Sequence, residues 1–243
     1  MDTIVDNVNT SLVELTARPQ ASSDVWVFLF SFGDKMSRYC FYIDGFNVYY
    51  ALNGNHSLDS FPYRKYKWLN YRKLAESVIG QKDTITGIFY FTAFVKWKTP
   101  DVVHRHKQYI KVLRKVGVET IQGRFMNKDI RCHKCNQYFL THEEKRTDVN
   151  IALKLFGDAF EDLYDKALIV SADSDLLPII QSVHKYFPGK EIGVMFPIGR
   201  TSFDLRQNAD FRRKMREVLL RDSQFSDEVE VGNIRIKRPD NWR

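Results

Sequence analysis

Short runs that are apolar at nearly every position punctuate this chain. Between them lie longer segments whose apolar residues recur every three or four places. "YCFYI" from Tyr39, "ITGIFYFTAF" from Ile85, "VETIQGRFM" from Val118, "KALIVSA" from Lys166 and "EIGVMF" from Glu191 read as strands. "NYRKLAESVI" from Asn70, "PDVVHRHKQYIKVLRKVG" from Pro100, "TDVNIALKLFGDAF" from Thr147 and "DLLPIIQSVHKYF" from Asp175 read as helices. Pro100 suits a first helical turn, Gly117 a helix end, and Thr147 is a candidate cap. Near-continuous apolar strands alternating with amphipathic helices predict an α/β fold, with a central, mainly parallel sheet covered by helices on both faces.

Residues 1–35 lack this patterning and read as an N-terminal extension, whose one apolar run, "VWVFLFSF" from Val25, could pack as an edge strand. The domain proper is expected to span 36–243. No apolar run approaches the roughly 20 residues that cross a bilayer, so no membrane partner is expected. The three cysteines, an odd number, argue against a disulfide framework and fit a reducing cytoplasm.

Carboxylates sit where a parallel sheet collects ligands. Asp44 follows the first strand in "YIDGFN", and Asp173 and Asp175 follow the fourth in "VSADSD". The carboxyl ends of parallel strands share one edge, and the crevice opens where strand order reverses. Asp148, in the first turn of its helix, can point into the same crevice. Each has a structural explanation too: Asp44 capping a turn with Gly45 and Asn47, Asp148 favouring the helix dipole, Asp175 as an N-cap. Carboxylates gathered within a few ångströms must bind protons or a cation, and an all-oxygen set selects hard ions such as Mg²⁺ or Mn²⁺. Such an ion suits hydrolysis of a phosphodiester. Asn47 would orient Asp44 or a water, and Gly45 would let the backbone turn tightly.

"YIDGFNVYY", "EEKRTDVNIALKL" and "LIVSADSDLLPII" resemble, in that order, the three motifs of the NYN domain family within the PIN-like nucleases. The tail "SQFSDEVEVGNIRIKRPDNW" resembles the end of the bacterial stand-alone members. The resemblance implies a PIN-like three-layer sandwich and metal-dependent RNA cleavage. The family's acidic positions fall on Asp44, Asp148, Asp173 and Asp175, with Asn47 as the polar companion.

The formal net charge is +7, and the segment 94–146 holds 13 Lys and Arg against 5 Asp and Glu. The helix after Pro100 carries Arg105, Lys107, Lys111, Arg114 and Lys115. With Lys96, Lys98, Arg124, Lys128 and Arg131 these read as an RNA-facing surface rather than a merely solvated helix. Trp97 and Tyr109 are candidates for stacking on bases. Lys145 and Arg146, beside Asp148, are candidates for holding a scissile phosphate; Arg200, Thr201 and Ser202, after the fifth strand, can reach the same edge.

"RCHKCNQYFLTHEEKR" contains a C-x-x-C pair, Cys132 and Cys135. A structural Zn²⁺ needs four ligands, and His133 or His142 would add one. His104 and His106 are further options, while Cys40 belongs to the first strand. The other reading is an exposed hairpin turn carrying two thiols.

These features point to a single-domain, endonucleolytic, Mg²⁺- or Mn²⁺-dependent ribonuclease. Two other classes stay open: an RNA-binding adaptor without turnover, and a phosphatase, because Asp173-Ser174-Asp175 has the D-x-D spacing of the haloacid-dehalogenase enzymes. Homo-oligomerisation is open as well.

Overall fold

The chain divides into two units, Met1–Lys35 and Met36–Arg243. The computed structural model describes residues 36–54, 63–95 and 97–242. The run from Val25 and Lys96 lie outside the described residues.

Six strands form one sheet: β1 (Arg38–Asp44), β2 (Thr84–Thr92), β3 (Glu119–Gln122), β6 (Lys166–Val170), β7 (Glu191–Phe196) and β8 (Phe211–Lys214). Their spatial order is β3-β2-β1-β6-β7-β8, and every neighbouring pair is parallel. The first three strands step outward one way from β1 and the last three the other way. The order therefore reverses between β1 and β6, which is where an open parallel sheet forms its crevice.

Seven helices accompany the described strands: α1 (Gly45–Asn53), α2 (Tyr71–Glu76), α3 (Pro100–Lys115), α4 (Thr147–Phe160), α5 (Leu177–Tyr186), α6 (Phe203–Asn208) and α7 (Glu217–Asp222). Side chains of β1 alternate between two cores, as the two-residue period of a strand requires. Phe41 and Ile43 join Val48, Leu52, Leu74, Leu113 and Trp68 on one face. Cys40 and Tyr42 join Ile151, Leu155, Ile180 and Val183 on the other. Burying each large side chain contributes roughly 1.5–3 kcal/mol. This is the three-layer α/β sandwich that the patterning and the family resemblance predict.

The helix at 147–160 and the strand at 191–196 fall where the patterning puts them. The expected strand "VETIQGRFM" is two strands. β3 ends at Gln122, and Gly123 lets the chain leave the sheet into β4 (Arg124–Arg131). β4 pairs antiparallel with β5 (Tyr138–Lys145) in a separate hairpin, and Cys132 and Cys135 sit in its turn. A second hairpin, β9 (Glu228–Val231) with β10 (Ile234–Lys237), lies in the tail.

Two local assignments are corrected. Thr147 is not the cap of α4; Arg146 holds that position in a left-handed conformation (φ 82°), and the Thr147 hydroxyl donates to Glu144 Oε1. Gly45 makes no positive-φ turn. It is the first residue of α1, and a Cβ there would lie 2.6 Å from the carbonyl oxygen of Phe91 and from the Tyr90 ring. Only a residue without a side chain lets α1 start this close to β2.

Candidate active site

Asp44 ends β1, and Ser171 follows β6, its neighbour across the reversal of strand order. Both are buried, Asp44 at 5% exposure and Ser171 at 0%. Asp44 Oδ1 accepts from the Asn47 backbone N–H (2.9 Å), which caps α1. Asp44 Oδ2 accepts from Ser171 Oγ (3.0 Å). Ser171 Oγ also accepts from the backbone N–H of Asp173 (3.1 Å), and Asn47 Oδ1 from that of Ala172 (3.2 Å). Asn47 thus joins the two strand ends through its backbone and its side chain. The turn continues through Asp173, whose Oδ1 accepts from the Asp175 N–H (3.1 Å) and so caps a short 3₁₀ turn, Ser174–Leu176. The cap is Asp173, not Asp175.

The four aspartates act on one another electrostatically. Burial first, then the charges of Asp148 and Glu144, push the Asp44 carboxyl up to about 6, against the opposing bonds from Asn47 and Ser171. Partial burial of its carboxyl, although the residue as a whole is exposed, then the charges of Asp173 and Asp175, raise Asp148. Asp148 opens α4, so the cluster draws on β1, α4 and the turn after β6. Glu144, in β5, is a fifth member: burial and the charge of Asp148 raise it. Glu144 and Ser171 join the site from positions to which the sequence pattern assigns no role. The signal for Ser171 was one hydroxyl between an apolar strand and two aspartates; Glu144 stood in the matched motif without a role.

The donor set is all carboxylate, and neighbouring negative charge helps raise Asp44, Asp148 and Glu144, which is the chemistry that a hard divalent cation relieves. The cluster is not a closed cage: among the described residues, no three His, Cys, Asp or Glu side chains stand close enough to hold an ion as they are. Asp148 and Asp175 are exposed, and their carboxyls make no hydrogen bond to the described residues, so both can turn toward one.

The β4–β5 hairpin rises beside this crevice. Phe125, opposite Glu144, packs edge-on against Phe46 of α1 at 5.4 Å. Strand alternation puts Arg124, Lys128 and Lys145 on the hairpin's other face. Lys145 and Arg146 are exposed immediately before α4. Arg200 and Ser202 follow β7 at the same sheet edge, where α6 packs on the Ser174–Leu176 turn. Ser202 Oγ accepts from the Leu205 N–H and caps α6.

Other candidates lie elsewhere. Lys111 and Arg114 stand on α3 over the β3 flank, two strands out from β1, with Arg114 Nε donating to Thr120 Oγ1. Tyr109 is core, 5% exposed, its hydroxyl donating to the Leu69 carbonyl. It cannot stack on a base. Trp97 is exposed, but its ring stacks on His142 (3.8 Å). His142 lies opposite Asn127 on β5 and its Nδ1 is 3.0 Å from Asn127 Oδ1. That is four residues along β5 from its start at Tyr138, about 13 Å at strand spacing. The set Cys132, Cys135 and His142 is therefore not assembled. The pair occupies a hairpin turn with both thiols unbridged, and hydrogen bonds from the Cys135 and Lys134 backbone lower the Cys132 thiol.

A six-stranded parallel sheet between helix layers, with aspartates from several elements at its strand-order reversal, defines a PIN-like, nuclease-type domain. The chain belongs to the NYN domain family, whose model matches residues 38–213. It is similar to 6-hydroxy-3-succinoylpyridine 3-monooxygenase HspA of Pseudomonas putida (strain DSM 28022 / S16), at 29% identity over 191 residues. That match covers 64% of this chain and 58% of that protein, so the chain spans less than two thirds of the relative's length. A crystal structure of a protein of unknown function, VPA0982 from Vibrio parahaemolyticus RIMD 2210633, shares the fold with a TM-score of 0.53 at 18% identity. The likeness covers 79% of this chain and 99% of that one. Among the described residues no helix is long and apolar enough to cross a membrane.

Proposed function

We propose that the protein is a ribonuclease that hydrolyses RNA phosphodiesters with Mg²⁺ or Mn²⁺. The observation that carries this reading is the hydrogen-bonded join of Asp44, through Asn47 and Ser171, to the turn of Asp173 across the reversal of strand order, with Asp148 opening α4 close enough for its charge to act on Asp44. Asp44, Asp148, Asp173 and Asp175 would hold the ion, which when bound makes water more acidic and offsets charge on a phosphate. Asn47 and Ser171 keep Asp44 aimed into the crevice and tie it to the turn carrying Asp173. Arg146, next to Asp148, would contact the scissile phosphate, while Arg124, Lys128 and Lys145, on the hairpin face away from Glu144, would meet RNA farther from the cut.

The test is incubation of the protein with mixed RNAs, with Mg²⁺, with Mn²⁺ and with chelator, mapping the ends produced. Metal-dependent internal cuts support the reading. RNA retained at low salt and never cut would make the protein a binding adaptor, and hydrolysis of small phosphate esters alone would make it a phosphatase. The relative's name suggests a second reading, oxygenation of a hydroxylated pyridine. A cation-lined cavity with aromatic walls beside α1 favours it. Product formed from such a pyridine with dioxygen and a reductant, without RNA cleavage, would establish that alternative.

A further inference from the structure

A cavity of about 460 Å³ opens along α1, the helix that Asp44 caps; Gly45 and Phe46, the next two residues, line it. Its walls combine exposed rings, Tyr49 and Tyr50, with four cations, Arg64, Lys67, Lys98 and Arg105. Lys67 is unusual: its residue is only 6% exposed, and among the described residues no carboxylate pairs with it. Its ammonium donates to Asn53 Oδ1 (2.7 Å) and lies 4.3 Å from the centre of the Tyr49 ring. Burial first, then the like charges of Arg64 and Arg105, bring it down to about 8. A buried ammonium held by an amide oxygen and a ring is costly unless an anion joins it. Phosphate is the anion whose size and charge suit guanidinium and ammonium donors arranged in this way. The neighbouring exposed rings add flat surfaces on which a base can stack.

We infer that this cavity holds one nucleotide of a single-stranded RNA flanking the bond to be cut, its phosphate between Lys67 and Arg105 and its base against Tyr49 and Tyr50. The inference rests on reading RNA as the substrate. It replaces Lys111 and Arg114 with Arg105 as the α3 cation that meets RNA next to the acidic site. The aromatic and cationic groups converge from α1, the segment before α2, and α3, so the pocket exists without bound metal. The acidic crevice repels phosphate in the absence of an ion. Binding measured in chelator therefore reports on the cavity alone.

The experiment is calorimetric titration of the full chain, in chelator, with UMP, inorganic phosphate and benzoate. UMP should bind at least tenfold tighter than phosphate, and benzoate more weakly than UMP. Lys67→Met and Arg105→Gln should each weaken UMP about tenfold or more. Tyr49→Ala should weaken UMP and leave phosphate unchanged. Lys67→Met keeps the side-chain volume; should it fail to fold, Arg105→Gln decides. Absence of UMP binding by the unmodified chain, UMP affinity unchanged in the folded cation variants, or benzoate bound as tightly as UMP would overturn the inference. Cleavage of RNA without UMP binding removes the pocket and keeps the nuclease; UMP binding without cleavage does the reverse.

Discussion

The hydroxyl of Ser171 donates to Oδ2 of Asp44 at 3.0 Å, joining residues 127 positions apart with both side chains buried. This bond spans the point where strand order reverses, and it opposes the burial that raises the Asp44 carboxyl. A hydrogen bond to a charged group contributes about 1.5–3 kcal/mol. Ser171→Ala should therefore raise the Asp44 carboxyl further. The acidic limb of the pH–rate profile for RNA cleavage should move up by about one unit. An unmoved limb with full activity would remove Ser171 from the positioning of Asp44.

Asp44→Asn should abolish cleavage and, in chelator, stabilise the fold. The carboxyl at about 6 in the folded state marks a charge that the fold carries at a cost near neutral pH. Replacing it with a neutral isostere should raise unfolding free energy by about 1–3 kcal/mol, measured by urea denaturation. A destabilised variant would mean that the hydrogen bonds to Asn47 and Ser171 outweigh the buried charge.

Gly45→Ala should destabilise by about 1–3 kcal/mol, the usual effect of forcing a methyl into packed surroundings. The new Cβ meets the Phe91 carbonyl oxygen, a backbone atom that cannot rotate away. Because Gly45 adjoins Asp44, cleavage should fall together with stability. Unchanged urea midpoints would show that α1 can draw back from β2.

Lys67→Met should stabilise the fold at pH 7 by about 1–2 kcal/mol, with a pH dependence of fixed sign. The folded ammonium titrates at about 8, below its ordinary 10.5, so the folded chain releases this proton before the unfolded chain does. The penalty is full below pH 8 and fades as pH rises toward 10.5. The advantage of Lys67→Met over the parent should shrink over that window. A difference that stays constant between pH 7 and 10.5 would show that the amine is not desolvated.

Strands buried on both faces were legible because every position is apolar, and a long amphipathic helix such as α4 was legible from its period. Helix α1 was not. "GFNVYYALN" starts on glycine and is rich in aromatic residues, so its helicity comes from the Asp44 cap and from burial of Val48, Ala51 and Leu52. Strand β8, "FRRK", is too charged to read as a member of the sheet, yet it pairs with β7. Gly123 was visible, but whether the chain bends within a strand or leaves the sheet there depends on the tertiary pairing of β4 with β5. At the site, acidic positions were legible because they follow apolar strands. Glu144 was missed because its closeness to Asp148 depends on how the hairpin returns to α4. The basic helix misled about Tyr109, since charge counts do not say which face of α3 is buried.

The central claim is that carboxylates from β1, α4 and the turn after β6 act together on a phosphodiester. The most direct measurement is single-turnover cleavage of end-labelled RNA, in Mn²⁺ and in chelator, by the parent chain and by Asp148→Asn and Asp173→Asn. Cleavage by the parent in Mn²⁺ only, lost at least 100-fold in each variant while RNA affinity stays within about threefold, is the predicted result. Equal cleavage in chelator, or full activity in either variant, would contradict it.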